Sequence, residues 1–245
     1  MTDPNQAWKS PELVNRYLSG VRGAIPLAAE QIDVMVRVVE ATSRDVTNIA
    51  DLGCGDGILA ATLLKRHSQA KATLVDFSEP MIAAARKELA PYGDACEFHL
   101  ADLSSAEWVD TARGRAPFDV VVSGYAIHHT TDARKRLLYR EIFELLRPGG
   151  VFVNIEHVKS PTERLRELSD DLIIDSLYPY HLKQDPTRTR EDVADEFVHR
   201  EDKHGNILAL VEDQCQWLRD RGFAEVDCYF KVLELAVFGG CKPDL

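Results

Sequence analysis

Residues 46–57, VTNIADLGCGDG, followed by the run ILAATLLKRH, decide how this chain is read. Ile49 and Ala50 close a short apolar run with the character of a strand buried on both faces. Glycines then alternate at Gly53, Gly55 and Gly57, and a helical pattern begins. The predicted unit is a strand, a tight glycine loop and a helix. Such a loop at the carboxyl end of a parallel strand lets a ligand approach the backbone, because no Cβ stands between them. The spacing is D-x-G-x-G-x-G, with Asp51 in front. The dinucleotide-binding fingerprint G-x-G-x-x-G has its third glycine one residue later and cradles a pyrophosphate, so Gly57 falls too early for it. Asp51 would repel a phosphate and suits a ligand that presents an ammonium group.

S-adenosyl-L-methionine is such a ligand, and from this loop onward the chain resembles the class I S-adenosylmethionine-dependent methyltransferases. The likeness rests on an ordered set of elements over roughly 110 residues. Asp76 closes the strand pattern ATLVD, where a carboxylate can accept from both ribose hydroxyls. A third pattern, Cys96–Leu100, runs into Asp102 and Leu103, and the resemblance implies that Asp102 holds the adenine amino group. A fourth, FDVVVSGYAIHH, starts at Phe118 and carries Ser123. The turn RPGG at 147–150 then leads into VFVNIEHV. The implied fold class is α/β: a Rossmann-like seven-stranded sheet with an antiparallel seventh strand at the sheet edge, helices on both faces and a helical lid insertion. The implied cofactor is S-adenosyl-L-methionine, leaving as S-adenosyl-L-homocysteine, held by Asp51, Gly53, Cys54, Gly55, Gly57, Asp76, Asp102, Leu103 and Ser123.

Composition bounds the remaining choices. The 245 residues, 45% hydrophobic and 28% charged, suffice for one core with an elaboration, so a single domain is expected. Its parts are 1–41 (N-terminal helical cover and first scaffold helix), 42–157 (cofactor-binding core), 158–222 (lid) and 223–245 (C-terminal strands). No apolar run reaches the ~20 residues of a membrane span, and MTDPNQAWKS lacks the pattern of a signal peptide. The five cysteines form no C-x-x-C pair. These features predict reduced thiols in a cytoplasmic protein; its state, monomer or homodimer, stays open at this point. A net charge of −11 disfavours nucleic acid as a partner.

Two stretches flank the cofactor loop. Trp8, Leu13, Val14, Tyr17, Leu18 and Val21 form an i, i+3, i+4 stripe. In the resembling enzymes such a helix folds over the cofactor, with Tyr17 and Arg22 facing it here; a stripe that merely docks on the core is the other reading. Ser78 is a candidate N-cap for the next helix, with Pro80 in its first turn. Phe77 or Met81 would stack on the adenine, and core packing is the alternative for Met81.

The acceptor should lie beyond the fourth strand, since open α/β sheets bind ligands at the carboxyl ends of their strands. Tyr125, His128 and His129 are the catalytic candidates there, with His181 added from the lid. One histidine can act as general base, because imidazole titrates near pH ~6.5; the other reading is that the pair hydrogen-bonds its loop and caps the following helix. S-G-Y-A lacks the (D/N/S)-P-P-(Y/F) motif of DNA amine methyltransferases, and no carboxylate follows until Asp132, so a metal site is not expected. The segment 158–217 holds eight Lys or Arg against fourteen Asp or Glu, a net charge of −6, and is far longer than a crossover needs. It reads as a lid over a small-molecule acceptor, with helices over 162–176, 191–197 and 208–221, and with Tyr178, Tyr180, His181 and Arg188 as the candidates to face inward, a solvated surface being the other reading for each. The predicted reaction is in-line displacement of the methyl group. A looser likeness to the carboxy-S-adenosylmethionine synthase group, in 17–26 and the C-terminal strands, leaves a cofactor-modifying enzyme as the alternative. Arg200 lies in the region of that group's lid arginine. A cofactor-binding module without turnover is the second alternative.

Overall fold

Strands buried on both faces need cover from both sides, and alternation with helices supplies it. The computed structural model describes residues 4–18, 24–43 and 45–244. A 3-10 turn (Pro4–Lys9) and α1 (Pro11–Arg16) precede α2 (Ala28–Thr42). Then follow β1 (Asn48–Leu52), α3 (Ile58–Arg66), β2 (Lys71–Asp76), α4 (Glu79–Glu88), β3 (Cys96–Leu100), α5 (Trp108–Arg113), β4 (Phe118–Gly124), α6 (Asp132–Leu145) and β5 (Leu146–His157). The cover consists of α7 (Glu163–Gln184), α8 (Arg190–Val198) and a 3-10 turn (Glu201–Gly205). The chain ends with α9 (Val211–Asp220), β6 (Ala224–Val232) and β7 (Leu235–Cys241). No helix among the described residues is long and apolar enough to cross a membrane.

The seven strands form one sheet in the order β3-β2-β1-β4-β5-β7-β6. β1 to β5 are parallel, and β7 runs antiparallel to both neighbours. Side-chain alternation splits the core in two. Ile49, Val120, Val122, Val151 and Val153 pack with residues of α2, α3 and α4 on one face. Ala50, Leu52, Val121 and Phe152 pack with residues of α5, α6 and α9 on the other. Under the cover is a small core, in which Ile174, Leu177, Val193 and Phe197 meet Ala24 of the segment before α2.

The structure corrects two details of the sequence reading, the place of β7 and the end of α7. β7 is not the edge strand: it inserts between β5 and β6, and Leu235, Ala236, Val237 and Phe238 are all buried, whereas much of β6 is exposed. The more apolar strand takes the inner place. Lys231 and Val232 belong to β6, since the chain reverses at Leu233 (φ 54°) and Glu234. α7 extends past 176 to Gln184 with Pro179 inside it, because burial of Leu177 and packing on α8 offset the lost backbone hydrogen bond.

A buried polar network fixes the loop after β3. Glu141 of α6 accepts from Trp108 Nε1 at 2.8 Å and from Arg134 Nη1 and Nη2 at 2.7 and 2.6 Å. Arg134 also donates to the carbonyls of Leu103 and Ser105 at 2.7 Å each. Glu141→Ala would strand a buried guanidinium and should cost roughly 3–5 kcal/mol. Urea unfolding should show this as a large fall in midpoint at unchanged slope; a loss below about 1 kcal/mol would mean the network is unimportant.

Candidate functional site

At the carboxyl ends of β1, β2 and β4 lies a cavity of about 450 Å³, roofed by the N-terminal turn, α1 and the cover. Its floor is the glycine loop. Gly53 and Gly55 have φ of 65° and 55°, in the left-handed region. A Cβ on Gly53 would lie 2.1 Å from the Ala126 Cβ, so the loop sits hard against the turn after β4. A Cβ on Gly55 would meet only Met81 Sδ at 3.9 Å, leaving its open side to the cavity.

Asp76 anchors this loop. Its Oδ2 accepts from Gly55 N at 2.9 Å and its Oδ1 from Ser78 N at 2.8 Å. Burial pushes the carboxyl up to about 6, against the pull of the Ser78 and Gly55 amides. Ser78 caps α4 through Met81 N, as its sequence position suggests, and its hydroxyl also donates to Trp8 O at 2.6 Å, pinning the N-terminal turn over the cavity.

Beyond β4, Tyr125 adopts φ 52°, a strained value for a non-glycine residue of the kind that clusters at functional sites. Its hydroxyl donates to Gln31 Oε1 at 2.7 Å, and burial raises the phenol, so it stays protonated. The next turn, Ile127–His129, presents His128 to Glu156. His128 Nδ1 lies 2.6 Å from Glu156 Oε1, and His128 N donates to Glu156 Oε2 at 3.0 Å. Glu156 is fully buried at the end of β5, and burial pushes it up to about 7 despite donors at His157 N and Asn154. Burial, then His157, Lys135 and Arg200, hold His128 well below the usual imidazole range. His129 is driven down to about 3 by burial and by His128, and its Nδ1 meets Gly205 O at 3.3 Å. A parallel pair joins His157 Nε2 to Glu234 Oε2 at 2.9 Å, its ring 5.8 Å from that of His128.

Of the residues singled out from the sequence, Tyr17, Gly53, Gly55, Asp76, Phe77, Met81, Asp102, Leu103, Tyr125, His128, His129 and His181 line the cavity. Asp51, Cys54, Gly57 and Ser123 are not among the lining residues. Asp51 is fully buried behind the loop, where its Oδ2 accepts from Ala60 N at 3.0 Å and ties α3 to β1. Cys54 is buried, its thiol raised by burial and by Asp76. Gly57 precedes α3 under Leu89 and Leu74, and Ser123 donates to Leu52 O at 2.7 Å, joining β4 to β1. Tyr178, Tyr180 and Arg188, expected to face inward, are likewise not among the lining residues, Arg188 being paired with Glu196 at 2.6 Å. Arg22 lies outside the described residues.

Glu156, His157, Glu234 and Gln31 were not foreseen as site residues. The signal for Glu156 was present in NIEH: an acid ending a hydrophobic strand, the feature that marks Asp76.

Sheet order, glycine loop and cavity together define the class I methyltransferase fold. Residues 49–150 match the family described as a methyltransferase domain, which bears out the resemblance drawn from the motif order. Over 217 residues the chain is 21% identical to the carboxy-S-adenosyl-L-methionine synthase of Nautilia profundicola, covering 88% of this chain and 86% of that protein. An O-methyltransferase family protein from Burkholderia thailandensis superposes with a TM-score of 0.59 at 19% identity, over 96% of this chain and 72% of that one. Human N-acetylserotonin methyltransferase, solved in complex with SAM, gives 0.61 at 14% identity, over 100% and 59%.

The two glycines should respond differently to a methyl group. Gly55→Ala carries only the left-handed backbone penalty of roughly 1–2 kcal/mol. Gly53→Ala adds overpacking against Ala126, about 1–3 kcal/mol more. Chemical denaturation of both variants should place Gly53→Ala clearly below Gly55→Ala, and the reverse order would refute the packing described.

Proposed function

We propose that this protein is an S-adenosylmethionine-dependent methyltransferase acting on a small-molecule acceptor, with His128 and Glu156 as its proton-accepting pair. The observation that carries the reading is the pairing, within one cavity, of a bare glycine floor anchored by Asp76 with a buried imidazole–carboxylate pair. The cofactor fits the residues present. Each Asp76 oxygen holds one backbone N–H and keeps a lone pair for a ribose hydroxyl. Phe77 and Met81 line the cavity with apolar surface on which an adenine would lie, and Asp102 and Leu103 line the same cavity and would meet its edge. When bound, S-adenosylmethionine supplies a sulfonium-activated methyl group that an acceptor nucleophile displaces along the C–S line.

The chain's own residues would do the rest. Glu156 holds the Nδ1 side of His128, which leaves Nε2 to accept the acceptor's proton. The pair takes up one proton as pH falls through about 7 and is in its accepting form, carboxylate with neutral imidazole, above that. Tyr125, with its proton given to Gln31, shapes the pocket and is not the base. The roof excludes water and holds the acceptor near the donor, and its acidic charge turns away nucleic acid.

A second reading has two favouring observations. Arg200 lines the cavity, and the long-range relatives include carboxy-S-adenosyl-L-methionine synthase. Mass spectrometry separates the two: a methyltransferase adds a methyl group to an acceptor, whereas the alternative adds carboxylate mass to the cofactor.

By calorimetry, Asp76→Ala should weaken S-adenosylhomocysteine at least tenfold, since each charge-assisted bond contributes about 1.5–3 kcal/mol. Wild-type affinity should fall as pH drops through about 6, where Asp76 protonates and loses acceptor capacity; affinity unchanged by variant and pH would place the ribose elsewhere. With an acceptor found by screening labelled cofactor against metabolites, kcat should rise through pH about 7. Glu156→Gln should remove that rise, and His128→Gln should lower kcat by roughly 10²–10⁴-fold with cofactor affinity retained. Activity near wild type in His128→Gln would refute the assignment of the base.

A further inference from the structure

Lys135, in the first turn of α6, is 1% exposed and has no part in the mechanism above. Its ammonium donates to Thr130 O at 2.8 Å, to Asp132 Oδ1 at 2.9 Å and to Ile207 O at 2.5 Å, so all three protons are committed. These bonds join segments far apart in sequence. Thr130 ends the turn that carries His128 and His129, while Ile207 belongs to the strap 205–209 that follows the cover. The strap is stitched to the same turn twice more: Ile207 N donates to His128 O at 2.8 Å, and Gly205 O meets His129 Nδ1 at 3.3 Å. Its far end is held where Lys159 N donates to Ala209 O at 2.9 Å.

A buried ammonium is a costly way to join two carbonyls, because a neutral donor would do so without desolvating a charge. The position of this charge supplies a reason. Among the described residues, the charged and titratable groups around the His128–Glu156 pair include His157 from β5, His129 from the histidine's own turn, Lys135 and Tyr139 from α6, Tyr125 after β4 and Arg200 from the cover. Lys135 is the cation whose place is fixed by three bonds, one of them to the residue whose amide holds the His128 carbonyl.

We propose that Lys135 is a positioning residue for His128: it clamps the 205–209 strap onto the histidine turn, and its charge sets the pH at which the His128–Glu156 pair becomes a proton acceptor. This rests on the reading of His128 as the base. A cation beside the pair disfavours the added proton, so removing Lys135 moves the midpoint of the pair upward. Asp132, with its side chain 52% exposed, offsets part of that charge, so neutralising it moves the midpoint downward. The two variants therefore carry opposite signs, which a general loosening of the fold would not produce.

The test uses the full chain with isotope-labelled histidine, saturated with S-adenosylhomocysteine, and follows the His128 ring signal from pH 5 to 9. Lys135→Met should raise the midpoint by about half a unit and speed exchange of the Ile207 amide at least tenfold. Asp132→Asn should lower the midpoint and leave that amide within twofold of wild type. Should Lys135→Met fail to fold, the half-exposed Asp132 still carries the sign. Midpoints unmoved in both variants, or moved the same way, would overturn the proposal. S-adenosylhomocysteine affinity is measured in the same samples: its absence in wild type counts against the cofactor reading, while the ring titration is still readable without ligand.

Discussion

The contact on which the rest of the site depends is between the Asp76 carboxylate and two backbone amides, Gly55 N and Ser78 N. One belongs to the loop after β1 and the other to the entry of α4, so a single side chain at the end of β2 holds together three elements of the cavity floor. Two further bonds support it, since Gly53 N and Cys54 N both donate to Val75 O, at 2.8 and 3.0 Å. If the glycine loop rose away from β2, Asp76 Oδ2 would lose its Gly55 amide while Oδ1 kept Ser78 N, and a charge-assisted bond of this kind contributes about 1.5–3 kcal/mol. Hydrogen bonding and burial pull Asp76 in opposite directions, and its position near pH 6 is the balance between them.

The same tension recurs on the other wall. Glu156 and His128 are both removed from water, each is pushed toward its neutral form, and the short bond between them is the compensation. Groups kept this way respond to a proton or a ligand with a large change in free energy, which is why perturbed acids and bases gather at reactive sites. Around them the fold is closed by fully satisfied polar contacts: Arg134 on Glu141, Lys135 on the strap, Tyr139 on Gln214.

The glycine-loop wall of the cavity was legible in the sequence because it is local. Strand, loop and acid follow one another within the span from Ile49 to Asp76, so spacing alone carries their meaning, and the fold class followed from the order of such units. Asp51 shows the limit of that logic: its place in the motif predicts a ligand contact, but in the structure its carboxylate turns inward to Ala60. Spacing does not reveal the direction of a side chain. The opposite wall depends on pairs separated by 28 and 77 residues, His128 with Glu156 and His157 with Glu234. Those meet only once β5 lies beside β4 and β7 beside β5. The inner place of β7 was hidden for the same reason, since strand order is set by which strand is apolar on both faces in the assembled sheet.

A structure of the protein with S-adenosylhomocysteine bound tests the central claim most directly. The account predicts the ribose hydroxyls on Asp76 and the amino-acid portion over Gly53 and Gly55. It also predicts that the sulfur will face the chamber containing His128. A ligand seated elsewhere, or a ribose that leaves Asp76 without a contact, would contradict it.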